Sequence, residues 1–148
     1  MGWKLEGSSD YSTTVKISKG STSGDKTYIA VYAPTSYKIN LDNVSGATCD
    51  DVSWTNTYNI ETGYYLPSYS KKGYTFNGWC GEGIPENAPN SNVAMPTGTY
   101  GNKSYTASFT IINYDITYDI KSDASYPSGA SNPKSYTVNS KKITLANP

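Results

Sequence analysis

The sequence predicts a mainly β protein assembled from copies of one small module, and three observations carry that prediction. With 15 Tyr, 13 Gly and 8 Pro in 148 residues, the composition favours strands and turns over helices. Apolar and polar residues alternate over short runs, and no stripe of helical spacing and useful length occurs. Finally, one order of strands and turns returns at an offset near 77 residues, as between Ala30 and Ala107. A fixed internal period is the mark of a repeat architecture.

In chain order, Val15 and Ile17 alternate with Lys16 and Ser18, which predicts a short half-buried strand. Turns at Lys19-Gly20-Ser21 and Gly24-Asp25-Lys26 lead to a strand on which Tyr28, Ala30 and Tyr32 share one face. Tyr37-Lys38-Ile39-Asn40-Leu41 is the next strand, and Val44–Trp54, punctuated by Gly and Asp, reads as a loop. Tyr58-Asn59-Ile60 and Leu66-Pro67 follow. The densest apolar anchor is Gly73-Tyr74-Thr75-Phe76-Asn77-Gly78-Trp79, where Tyr74 and Phe76 fall on one face and Gly78-Trp79 bends the chain. Rings of this size can supply much of the core of a small module. Cys80–Asn92, with Gly81, Gly83, Pro85 and Pro89, reads as a long exposed loop. Val93 and Met95 precede turns at Pro96-Thr97-Gly98 and Gly101-Asn102-Lys103. On the strand after them Tyr105, Ala107 and Phe109 share a face. Tyr114-Asp115-Ile116-Thr117-Tyr118, Tyr136-Thr137-Val138 and Leu145, with Pro148 close behind, complete the pattern.

Gly24 and Gly101, like Tyr37 and Tyr114, lie 77 residues apart; Val15 and Val93, like Tyr58 and Tyr136, lie 78 apart; Gly2-Trp3 and Gly78-Trp79 lie 76 apart. The drift places insertions in loops, where they are tolerated. The expected organisation is the C-terminal part of a preceding repeat (1–33), a complete repeat (37–110) and the N-terminal part of a following one (114–148). Positions whose character recurs mark the buried face. The expected structural core is therefore Tyr74, Phe76, Trp79, Tyr105, Ala107 and Phe109, with Ile39, Leu41, Tyr58, Ile60, Val93 and Met95.

These residues resemble a known family, the InlB B-repeat or Listeria–Bacteroides repeat. The resemblance rests on Gly73-Tyr74-Thr75-Phe76-Asn77-Gly78-Trp79, the Gly101-Asn102-Lys103 turn and the closing strand Tyr105-Thr106-Ala107-Ser108-Phe109. It covers the middle copy fully and the flanks as fragments. It implies a compact β-grasp-like module strung in tandem on secreted, often wall-anchored bacterial surface proteins, between a recognition domain and the cell wall. No catalytic or binding residue transfers with it. The implied location is the cell surface, and the expected function is a non-enzymatic spacer or stalk whose partners are neighbouring repeats; the alternative is an adhesion module that binds a host glycan or matrix protein through exposed Tyr and Trp. Any signal or wall anchor is expected outside this sequence.

Chemistry is sparse. Twelve acidic and twelve basic residues cancel, so no electrostatic footprint for nucleic acid follows. The apolar run from Tyr28 to Ala33 is one strand long, so no membrane insertion is expected. No histidine is present, which removes the commonest general base and metal ligand. Asp50 with Asp51, or Glu82 with Glu86, could form a carboxylate pair, but solvated loop acids are the plainer reading. Asp42, Asp50 and Asp51 lack a calcium-loop spacing, and no phosphate loop is present. No catalytic residue, metal or cofactor is expected. Cys49 and Cys80 in one copy admit two readings, a mutual disulfide that would staple a small core or two buried thiols. We carry the bridge forward as the expectation. Trp54, Tyr64, Tyr65 and Tyr100, like Tyr69 and Tyr126, lack a core-face assignment and are candidates to stack on a sugar. The plainer reading is that Tyr-rich strands cover both faces of thin sheets. Last, if residues 1–33 and 114–148 are complementary parts, they are expected to pair, within a chain or head-to-tail between chains.

Overall fold

In the computed structural model, which describes residues 1–21, 24–120 and 124–147, every regular element is a β-strand. Strands β3 (Tyr37–Asp42) and β10 (Lys103–Ile111) run parallel at the centre, with Ile39 opposite Lys103 and Leu41 opposite Tyr105. β5 (Thr57–Tyr58) pairs antiparallel with the outer edge of β3, and β8 (Tyr74–Cys80) with that of β10. The sheet order is thus β5-β3-β10-β8. Two shorter ladders lie alongside, β4 (Thr48–Cys49) with β7 (Tyr69–Ser70), and β6 (Tyr64–Tyr65) with β9 (Ala94–Met95).

The anchor works through a bulge. Thr106 to Ser108 face Cys80 to Gly78 in turn, but Phe109 faces Phe76, so Asn77 is the extra residue. Its amide is held by Ser108 Oγ at 3.2 Å and Thr110 Oγ1 at 2.8 Å. A bulge bends its strand and re-aims the side chains around it. Here Trp79 becomes fully buried and Cys80, its neighbour, is buried too. Gly78 has φ +124°, and a Cβ there would lie 2.4 Å from the Asn90 carbonyl carbon. The close approach lets Trp79 and Asn90 exchange backbone hydrogen bonds of 2.9 and 3.0 Å.

Ile39, Tyr58, Leu66, Trp79, Val93, Met95, Tyr105 and Ala107 form one buried cluster, with Phe76 and Phe109 packed half-buried against it. Tyr69 and Phe76 meet the Trp79 ring edge-on, at 5.6 and 5.5 Å between centroids. Trp79 Nε1 donates to Pro67 O at 2.9 Å, satisfying the one polar atom that the indole buries. Half-buried Tyr74 sets its ring edge-on to Phe109. Burial pushes the Tyr58 and Tyr105 phenols above their ordinary value of 10.0.

The flanking segments reuse this pairing. β1 (Gly2–Leu5) pairs with β2 (Tyr28–Val31), setting Trp3 opposite Ala30 as Trp79 stands opposite Ala107. Trp3 exchanges backbone bonds with Ser12 as Trp79 does with Asn90, and a Cβ on Gly2 would lie 2.5 Å from Ser12 O. β11 (Tyr114–Asp115) pairs with β12 (Ser135–Tyr136), setting Tyr114 opposite Tyr136 as Tyr37 stands opposite Tyr58. Beside these pairs, Ile116 N donates to Lys134 O and Ile39 N to Asn56 O, both at 2.8 Å.

Several expectations need correction. Val15 and Ile17 lie in no strand, and Ile17 is exposed. Tyr32 is exposed because β2 ends at Val31. Ile60 is exposed because Asn59 Oδ1 and O accept from Glu61 N and Thr62 N, turning the chain away from the core. Val44–Trp54 contains β4. Cys80–Asn92 is not wholly exposed, since Cys80 closes β8 and Gly81 and Asn90 each pair back. Pro148 lies outside the described residues.

Candidate functional site

Of the ring candidates the fold gathers three, and it corrects two of them: Trp54 and Tyr64 are half-buried and pack against the core, while Tyr65 is exposed. Asp51 accepts from Ser53 N at 2.9 Å and Ser53 Oγ at 2.6 Å, and Trp54 N donates to Asp51 O at 3.3 Å. This turn fixes where Trp54 leaves the backbone, and the Ser53 bonds hold the Asp51 carboxyl below its ordinary 3.8. The Tyr64 ring lies 6.2 Å from that of Trp54. Its hydroxyl accepts from Thr55 N at 2.9 Å, because pairing of β6 with β9 brings Tyr64 beneath the turn.

Trp54 is the wall between two clefts. One, of about 410 Å³, runs along the edge of β3 from Ile39 to Asp42 and is closed by Asn56 and Tyr69. The other, of about 270 Å³, is lined by Asp51, Ser53, Gly63, Tyr64 and Tyr65. Trp54 Nε1 is buried with no acceptor among the described residues. Such a donor costs about 1–3 kcal/mol of desolvation. β5 ends before Leu41, and alternation along β3 turns the Leu41 backbone away from β10 and toward the first cleft. Trp54, Tyr64 and Tyr65 therefore share one surface. Tyr100 does not: it lines a separate depression with Pro96–Thr99 and Lys103. Tyr126 accepts from Asn132 Nδ2 at 3.0 Å, in the 114–147 segment. Sequence reasoning left Tyr69 unassigned, yet it contributes both to the cleft and to the packing on Trp79. Its place opposite Cys49 on β7 was the missing signal.

The acidic candidates are engaged separately. Asp50 accepts from Ser68 Oγ at 3.0 Å and Ser70 Oγ at 2.7 Å. Glu82 holds Lys103 Nζ at 3.3 Å and Ser104 N at 3.2 Å. Asp50 and Glu82 are thus each held by hydroxyl, amide or ammonium groups, as loop acids rather than as members of a carboxylate pair. The expected Cys49–Cys80 bridge is absent: both thiols are free. Cys49 lies on β4, its Sγ 3.2 Å from Asp51 O. Cys80 ends β8 in a different sheet, its Sγ 4.0 Å from Glu86 O.

No protein-family model, curated protein or solved structure matches this chain.

Proposed function

We propose that this chain is a run of a non-enzymatic tandem-repeat module of the InlB B-repeat kind, acting as a spacer or stalk in a secreted, wall-anchored bacterial surface protein. The observation that carries the reading is the recurrence of pairing register, with Trp3–Ala30 repeating as Trp79–Ala107 and Tyr37–Tyr58 as Tyr114–Tyr136. The recurrence supports a complete unit at 37–110 flanked by parts at 1–33 and 114–147. Within the complete unit the first and last strands lie parallel at the centre of a mixed sheet, which favours the β-grasp-like expectation. A solenoid-like array draws its stability from repeats and their neighbour contacts, and its length grows with copy number. Small-angle scattering on one, two and three head-to-tail copies of residues 1–148 tests the proposal. The maximum dimension should grow by a constant increment per copy; compaction into a globule of unchanged aspect ratio would remove the stalk role.

The two clefts that share Trp54 favour a second reading, an adhesion module for a host glycan or matrix protein. Saturable binding on a glycan and matrix array that disappears in Trp54→Ala, but not in Tyr100→Ala, would select it.

A further inference from the structure

Inside the middle unit, the edge of β3 that faces β5 is left open at one residue. Ile39 N donates to Asn56 O at 2.8 Å, so the Ile39 backbone points toward β5, and that of Leu41, two residues on, points the same way. The β5–β3 ladder sets Tyr37 opposite Tyr58 and Lys38 opposite Thr57; continued, it would set Leu41 opposite Trp54. Trp54 belongs instead to the Asp51–Ser53 turn, where its N–H donates to Asp51 O. The gap that results is the cleft of about 410 Å³. Leu41 N–H and C=O face it with no partner among the described residues. An edge of that kind is a template for one more strand.

The walls of the gap dictate what an added strand must carry. With one residue of β3 free, an antiparallel partner suits it, since a single residue then exchanges both bonds with Leu41. Side chains alternate along β3, so Ile39 and Leu41 turn to the core while Asn40 and Asp42 face solvent. The residue opposite Leu41 points its side chain onto Leu41, Trp54 and Tyr69, which pack half-buried against the core. That place takes an aliphatic group. The residue before it stands opposite Asp42, which is exposed and meets no cation or hydrogen-bond donor among the described residues. That place takes Lys or Arg. The residue after it stands opposite exposed Asn40 and is polar. A sugar fits less well. Stacking uses an open ring face, whereas Trp54 and Tyr69 are half-buried and the exposed ring, Tyr65, lines the other cleft.

We propose that this gap captures an extended peptide segment of a partner protein, read as basic–aliphatic–polar, which adds antiparallel to β3 at Leu41. The segment's backbone supplies the two bonds that β5 does not, and its aliphatic and basic side chains supply the selectivity. This inference rests on the second reading above, the adhesion module, and gives its partner a chemistry. The free edge is short, so a single engagement is weak.

The acetylated, amidated peptide Ser-Thr-Lys-Val-Thr-Ser, titrated to about 2 mM against the nitrogen-15-labelled intact chain, tests this. The Leu41 amide and the Trp54 indole resonances should shift saturably. N-methylation of the peptide's valine removes the N–H that Leu41 O accepts and should weaken binding about tenfold. Replacing its lysine with glutamate should weaken binding by a similar factor, and Asp42→Lys should reverse that preference. Asp42 is exposed, so the fold tolerates the change. No saturable shift up to the highest concentration overturns the proposal, as does equal binding of the N-methylated peptide or a charge preference that Asp42→Lys leaves unchanged. If the peptide is silent while a glycan on the array binds and is lost in Trp54→Ala, the peptide assignment falls and the adhesion reading stands. Silence of both peptide and array removes both.

Discussion

Gly78 shows how one residue type decides the architecture around it. Its φ of +124° and the 2.4 Å approach of Asn90 exclude a side chain on two independent grounds. Gly83 also has a positive φ, +88°, but nothing lies within 4 Å of the Cβ it lacks. Gly83→Ala should therefore cost only backbone strain, about 1 kcal/mol, at the low end for such conformations. Gly78→Ala adds a backbone collision and should cost at least about 3 kcal/mol, near the upper end of point substitutions. Urea unfolding followed by tryptophan fluorescence compares the two. Equal losses would mean that the approach of Asn90 is not what requires glycine. The same reasoning explains why the Gly-Trp dipeptide was readable from the sequence at both places: Gly2 faces Ser12 as Gly78 faces Asn90.

At the scale of elements, alternation predicted strands well where a partner strand was available and poorly where none was. Tyr105, Ala107 and Phe109 alternate and lie in β10, which has a neighbour on each side. Val15 and Ile17 alternate equally well, but among the described residues no strand pairs with them, and both lie outside regular structure. A periodic pattern states which face would be buried; only the rest of the fold supplies the surface that buries it. The cysteines were misjudged for a related reason. Their presence in one unit suggested a bridge, but both thiols are free, Cys49 Sγ set against Asp51 O and Cys80 Sγ against Glu86 O. Half-buried Cys49 should react with a disulfide reagent in the native protein, whereas buried Cys80 should react only on unfolding. Thiol titration with Ellman's reagent should thus give one fast and one denaturant-dependent group. Two groups unreactive until reductant is added, with a melting temperature lowered by that reductant, would restore the disulfide.

At the scale of the whole molecule, the offset near 77 residues was legible because turn glycines and aromatic strands recur together along the sequence. The clefts were only half legible. Trp54, Tyr64 and Tyr65 stood out as rings without a core face, but their convergence depends on β6 meeting β9 far along the chain, which no local pattern encodes. The junction after the middle unit was not legible at all. There Ile112 N donates to Gly73 O at 2.9 Å, and Asn139 Nδ2 donates to Tyr74 Oη at 2.9 Å. Val138 packs so closely on Gly73 that a Cβ there would lie 2.5 Å from the valine Cβ. Polar and apolar contacts on both sides of a short connection oppose independent motion of 114–147 and 37–111. Nitrogen-15 relaxation should give both segments one rotational correlation time in the wild-type chain. Val138→Gly combined with Asn139→Ala removes the two side-chain contacts and leaves the Ile112–Gly73 backbone bond and the Gly73 turn in place, so the middle unit should keep its stability while the later segment relaxes as a faster, separate body. An unchanged correlation time in the double variant would place the stiffness in the connection from Ile111 to Tyr114, and a stalk of such units would then owe its rigidity to the linker rather than to packing between neighbours.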